Sequence, residues 1–131
     1  MVGAGHVGAT CSQLLAQKEL AQEVILLDIV EGIPQGKGLD QWESAPIEGF
    51  DSRVIGAYAY EDAENSEVFI VTGGIARKPG MSRDDLLKTN AGVISSVSRE
   101  IKRVAPNAIV IVVTNPLDVM AQVALEETGF P

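Results

Sequence analysis

The chain has 131 residues, 46% of them hydrophobic and 21% charged, with a formal net charge of −8. That is enough apolar sequence for one domain with a real core and excludes a disordered chain; the acidic balance argues against general binding to nucleic acid or to an anionic membrane. No apolar run approaches the ~20 residues of a membrane span, no basic-then-apolar leader opens the chain, and the single cysteine, Cys11, leaves no internal disulfide and no cysteine-based metal site. A cytoplasmic protein is the default expectation.

The elements alternate. Val7 to Leu20 carries a helical pattern, with Val7, Cys11, Leu14, Leu15 and Leu20 on or near one face. E-V-I-L-L-D, residues 23–28, is a short apolar run closed by an acid and predicts a buried parallel strand. Gly36 to Ser44 suits a helix that Pro46 ends. Residues 53–58 and 66–72 predict strands, separated by the acidic turn E-D-A-E-N, and Gly73 and Gly74 close the second. Ser82 is placed to cap a helix whose first turn holds Asp84 and Asp85 and which runs to about Val104, before Pro106. N-A-I-V-I-V-V-T, residues 107–114, is the strongest strand signal, Asn115-Pro116 turns the chain, and Leu117 to Glu127 is helical until Gly129 and Pro131. Strands alternating with helices predict an α/β fold: a Rossmann-type, doubly wound parallel sheet with helices on both faces. Its first strand is truncated to Met1 and Val2, and the chain stops after a helix where a further strand is expected.

Gly3, Gly5 and Gly8 are spaced G-x-G-x-x-G at the start of the first helix. The spacing alone is weak evidence in a chain with 13 glycines, but an acid, Asp28, stands 20 residues beyond Gly8 at the tip of the next strand. In a dinucleotide site the first glycine allows the tight turn and the second lets backbone approach a pyrophosphate. The third lets helix and sheet pack closely, and the helix N-terminus supplies N–H donors. Asp28 then accepts ribose hydroxyls and repels a 2′-phosphate, favouring NAD over NADP. The competing reading is a glycine-rich turn and a strand-capping acid.

Ligands of such sheets bind beyond the carboxyl ends of the strands. Three segments arrive there: the glycine turn, T-G-G-I-A-R-K-P-G-M-S-R and T-N-P-L-D. Thr72, Gly73 and Gly74 leave room for a cofactor to pass. Arg77, Lys78 and Arg83 make a cationic loop, either an anion site or an ordinary solvated loop, and Arg guanidinium suits carboxylate in a two-pronged geometry. Pro79-Gly80 suggests a lid with a hinge. Asn115 could donate to substrate or to the cofactor ribose, or simply form the turn. His6, the only histidine, lies in the glycine turn and is a poor general base.

Taken in order, G-A-G-H-V-G, L-L-D, T-G-G-I-A-R-K-P-G-M-S-R-D-D-L, T-N-P-L-D and the closing G-F-P resemble the lactate/malate dehydrogenases across essentially the whole chain. The likeness is greatest to the bacterial malate dehydrogenases that are lactate-dehydrogenase-like in sequence, and R-K-P-G-M-S-R is its most specific part. The resemblance implies hydride transfer between NAD and a 2-hydroxy or 2-keto acid by a dimer or tetramer. It implies cofactor contacts from Gly3, Ala4, Gly5, His6, Val7, Gly8, Asp28, Thr72, Gly73, Gly74, Asn90, Val113, Thr114 and Asn115. It also implies substrate contacts from Arg77, Arg83 and Asn115.

In lactate dehydrogenases the position of Arg77 usually holds Gln, which suits a methyl-bearing acid; Arg77 adds a cation for a second carboxylate and favours malate and oxaloacetate. The family's proton-shuttling His, its partner Asp and a third substrate Arg lie beyond residue 131, so these residues are read as the NAD-binding domain, inactive by itself. Two alternatives stand beside this reading: a lactate or other 2-hydroxy-acid dehydrogenase, and a non-catalytic NAD-binding module.

Overall fold

The apolar run after the first helix does form a strand, and around it the chain builds the first of two units. The structure is a computed structural model that describes residues 1–131, divided into Met1–Ala63 and Glu64–Pro131. Each unit rests on one pair of parallel strands.

In the first unit α1 (His6–Gln17) leads to β1 (Glu23–Leu27), then α2 (Ile33–Glu43), the short α3 (Ala45–Glu48), β2 (Arg53–Ala57) and a 3-10 turn at Tyr60–Ala63. β1 and β2 run parallel, from Glu23 opposite Arg53 to Leu27 opposite Ala57. On the other edge of β1, Val2 forms a single parallel bridge to Leu27, and Gly3 N–H donates to the Leu27 carbonyl at 2.8 Å.

The face that α1 buries is not the expected one. Val7, Leu14 and Leu20 are exposed, while Gly8, Ser12 and Ala16 are buried. Small residues at four-residue spacing form a stripe that lets the helix lie close to its neighbours, which a stripe of Leu and Val would prevent. Ser12 Oγ lies 2.7 Å from Gln41 Oε1 on α2, and Gln41 Nε2 donates to the Ala9 carbonyl at 2.8 Å, so the two helices are also pinned by polar groups.

α2 begins three residues before Gly36. Pro34 sits in its first turn, where the missing N–H has no partner to lose, and Gln35 accepts from Gly32 N–H at 2.8 Å. The same logic corrects the reading of Pro46: α2 has already ended at Glu43, and Pro46 belongs to the first turn of α3. The seat of α2 on β2 is made by two glycines. A Cβ on Gly56 would lie 1.9 Å from the Pro34 carbonyl oxygen, and one on Gly38 would lie 2.6 Å from Gly56 N.

In the second unit β3 (Val68–Val71) and β4 (Ile109–Val112) pair in parallel, Val68 opposite Ile109 through Val71 opposite Val112. They are joined by α4 (Arg83–Val104) and followed by α5 (Leu117–Thr128). The strands are shorter than the apolar runs because the ladder lasts only while both partners are opposite each other. Ser82 caps α4 as expected: Asp85 N–H donates to Ser82 Oγ at 3.0 Å and Ser82 N–H donates to Asp85 Oδ2 at 3.1 Å. The Ser82 hydroxyl, 2.7 Å from Asp85 Oδ2, and then Ser82 N–H hold the Asp85 carboxyl below its ordinary value. α4 buries Ile94, Val97, Ile101 and Val104 along one face and stops before Pro106. Gly129, at φ 64°, ends α5. Arg99 grips Glu127 across the two helices with two bonds of 2.8 and 2.9 Å, and Ser95 donates to the same carboxylate. No helix is long and apolar enough to cross a membrane.

Gly56→Ala is expected to destabilise the fold by about 3 kcal/mol, the upper range of overpacking, because backbone rather than a movable side chain blocks the methyl; the urea unfolding midpoint measures it. Arg99 and Ser95 bring the Glu127 carboxyl from 4.5 down to about 2. The folded state therefore favours the ionised form, and the stability the bond contributes is complete above pH 4.5 and lost as pH falls towards 2. The midpoint difference between wild type and Glu127→Gln is expected to shrink over that window; a difference independent of pH would deny the bond this role.

Candidate functional site

The glycine turn is built by what it lacks. Gly3 has φ 104°, a conformation that a side chain rarely adopts, and it reverses the chain into α1. Gly5 stands at the N-cap with no side chain to cap the helix, and no acid occupies the first turn. The first internal bond is Ala9 N–H to the Gly5 carbonyl at 3.0 Å, so the N–H groups of His6, Val7 and Gly8 have no partner within the helix. A Cβ on Gly5 would meet no atom within 4 Å, so the space over the turn is open. α1 thus presents free donors and the positive end of its dipole, a donor set that fits a pyrophosphate. His6 and Val7 are exposed; Gly8 is buried on the inward side of the helix.

Asp28, half-buried just past β1, holds this turn. Its Oδ2 accepts from Ala4 N–H at 2.7 Å and its Oδ1 from Val30 N–H at 3.2 Å. A carboxylate accepts about four hydrogen bonds, so sites remain for ribose hydroxyls. Lys37, from α2, donates to the Ala4 carbonyl. That contact was not legible in the sequence, where Lys37 is one cation in a helix of mixed composition.

In the second unit the predicted residues gather at the carboxyl ends of β3 and β4. Thr72 and Gly73 are half-buried, and Thr114, nearly buried, donates from its hydroxyl to the Gly73 carbonyl at 2.7 Å. Gly74 has φ 153°, and a Cβ there would lie 2.6 Å from Thr114 Cγ2 and 3.1 Å from Asn90 Oδ1. Asn90 is 1% exposed. Its Oδ1 accepts from Ile75 N–H at 2.9 Å, while its Nδ2 donates to the Ile75 carbonyl at 3.1 Å and to the Asn115 carbonyl at 2.8 Å. The amide is spent on main chain, and it ties the root of the cationic loop to the end of the next strand. Val113 and Asn115 are exposed.

Beyond Ile75 the loop is exposed from Ala76 to Gly80 and again at Ser82 and Arg83. Pro79 and Gly80, the latter at φ 83°, form the turn closed by Met81 N–H on the Lys78 carbonyl at 3.0 Å. Arg77 Nε donates to the Met81 carbonyl at 3.1 Å, and Arg83 makes no ion pair. A groove of about 700 Å³ between the outer side of β4 and α5, lined by Ile109, Leu117, Ala121, Leu125 and Phe130 among others, includes none of the predicted site residues.

A parallel α/β chain that leaves helix donors open beside a strand-end carboxylate is a dinucleotide-binding domain of Rossmann type. The family model for the lactate/malate dehydrogenase NAD-binding domain matches residues 1–131. A malate dehydrogenase of Chloroherpeton thalassium is 53% identical over 131 residues, all of this chain and 42% of its own length. The crystal structure of a malate dehydrogenase from Salinibacter ruber has a TM-score of 0.92 at 46% identity, covering 99% of this chain and 40% of that one. A lactate dehydrogenase from Cryptosporidium parvum, solved with lactic acid and nicotinamide adenine dinucleotide, also reaches 0.92, at 42% identity over 99% of this chain and 41% of that one. The chain belongs to the lactate/malate dehydrogenase NAD-binding-domain family, and it spans about two-fifths of the length of the relatives it matches.

Asn90→Ala is expected to cost about 3 kcal/mol, since it leaves buried main-chain groups at Ile75 and Asn115 without their partner. Amide exchange at Ile75 should accelerate well before global unfolding; an unchanged rate would mean that the loop root is held by other contacts.

Proposed function

We propose that this chain is the NAD-binding domain of an NAD-dependent malate dehydrogenase, which interconverts (S)-malate and oxaloacetate, with the substrate and proton-transfer groups completed by sequence outside residues 1–131. NAD supplies the hydride-accepting ring. This chain's part is to bind and orient it. The open N–H groups at Gly5 to Gly8 take the pyrophosphate, and Asp28 takes the adenosine ribose through its remaining acceptor sites, where its charge disfavours a 2′-phosphate. Thr72, Gly73, Gly74, Val113 and Thr114 border the nicotinamide end, and Asn90 sets the main chain there. No residue of this chain is assigned the proton transfer.

The observation that carries the choice of substrate is Arg77. It stands in an exposed loop whose root is held by Asn90, and its guanidinium is bonded only to a main-chain carbonyl of the same loop. Closing that loop carries Arg77 and Arg83 onto the acid and excludes water, so that each carboxylate meets a planar cation. Asn115 donates to the oxygen at C2. The fold is neutral in this choice, because a malate and a lactate dehydrogenase match it with the same TM-score. The names of the nearer relatives support malate. A cytoplasmic homo-oligomer, dimer or tetramer, serving the tricarboxylic acid cycle completes the proposal. The exposed apolar side chains of Leu39, Trp42 and Ile47 on α2 and α3 support the assembly.

In the whole enzyme, Arg77→Gln is expected to lower kcat/KM for oxaloacetate relative to pyruvate by about a hundredfold or more, the scale of losing one desolvated charge-assisted pair. An unchanged ratio removes the argument for malate, and NADH binding without turnover of either acid would favour a non-catalytic NAD-binding module.

A further inference from the structure

Resting on the NAD reading above, we propose that Lys37 is a positioning residue for the cofactor: from α2 it holds the Ala4–Gly5 peptide in the orientation that aims Gly5 N–H at the pyrophosphate. Ala4 is 1% exposed and is gripped from both sides. Its N–H donates to the Asp28 carboxylate at 2.7 Å, and its carbonyl accepts from the Lys37 ammonium, 33 residues away in sequence. In a trans peptide the carbonyl and the next N–H point in opposite directions. A carbonyl drawn towards Lys37 therefore turns the Gly5 N–H away from it.

The clamp matters because of the residues beside it. Gly3 and Gly5 flank Ala4, and glycine offers little steric resistance to rotation of an adjoining peptide. Left alone, the turn would populate orientations in which the Gly5 donor is misdirected, and a ligand would have to select the right one at a cost in affinity. Lys37 is itself well placed to hold it. Its neighbour Gly38 packs against Gly56, fixing the height of α2 over β2. One turn further on the same face, Gln41 holds the Ala9 carbonyl in the first turn of α1. Lys37 and Gln41 thus grip the glycine turn and the start of its helix from one face of α2. The half-buried ammonium also adds positive potential beside a helix end that carries no acid.

The test uses the full-length enzyme with Lys37→Met, Lys37→Gln and Lys37→Arg. NADH binding is read by fluorescence titration, ADP-ribose binding by competition, and stability by the urea midpoint. Lys37→Met is expected to weaken NADH and ADP-ribose by the same factor, about tenfold for one charge-assisted hydrogen bond. The KM for NAD should rise by much more than the KM for the dicarboxylate, with the urea midpoint close to wild type. Lys37→Arg should recover most of the affinity. Lys37→Gln, a shorter neutral donor, should fall between and serves in place of Met if that variant does not fold. NADH affinity within twofold of wild type in Lys37→Met and Lys37→Gln overturns the proposal. So does a loss of midpoint with both KM values and kcat deteriorating together, which is the pattern of a residue that only supports the fold. Failure of the wild-type enzyme to bind NADH overturns the NAD reading and this proposal with it, whereas NADH binding with normal Lys37 variants overturns this proposal alone.

Discussion

Main chain that leaves the end of a parallel strand has no ladder partner, and a main-chain group shut away from water without a partner costs about 1–3 kcal/mol. Much of what is distinctive in this chain answers that constraint. At the end of β1 the Asp28 carboxylate takes the N–H of Ala4, and Lys37 takes its carbonyl. Past β3 and β4, the amide of Asn90 takes three main-chain groups and the hydroxyl of Thr114 takes the Gly73 carbonyl. The groups that satisfy the backbone are therefore the groups that shape the loops where ligands of such folds bind. Stability and site geometry come from the same side chains.

Close approach is the second constraint, and the small residues meet it. α1 lies on a stripe of Gly8, Ser12 and Ala16, and α2 meets β2 through Gly38 and Gly56. With backbone so near backbone, there is little room for a helix to shift or rotate, and the side chains it projects arrive at fixed heights. This is why Lys37, a long and flexible residue, can reach one particular carbonyl.

Two of the helices that open near predicted site residues, α4 and α1, treat their N-termini in opposite ways. α4 satisfies its own, through the reciprocal bonds of Ser82 and Asp85 and with acids in its first turn. α1 has neither cap nor acid. In a chain of net charge −8, that uncapped end and the exposed arginines of residues 76–83 are the places suited to an anion. A malate and a lactate dehydrogenase match this fold with the same TM-score, so the backbone architecture by itself does not distinguish one acid from another.

Local signals determined a good deal. Apolar runs bounded by Gly and Asn, the Ser82 cap and the glycine that ends α5 all act within a few residues, so strand positions, the limits of α4 and the parallel α/β class could be read directly. The G-x-G-x-x-G spacing marked the tight turn into α1 for the same reason, since each glycine serves its own backbone. Other features were decided only by tertiary structure. The inward face of α1 depends on how near its neighbours come, which inverts the usual rule that the largest apolar residues face in. The part taken by Gly38 and Gly56 exists only when α2 lies on β2. Pro46 reads as a terminator by itself and opens a helix because the chain had already turned. Lys37 to Ala4 and Asn90 to Asn115 join residues far apart in sequence, and no periodicity records which distant carbonyl a side chain will find. Short-range conformational preference is written residue by residue, whereas the partner of a polar group is a property of the packed fold.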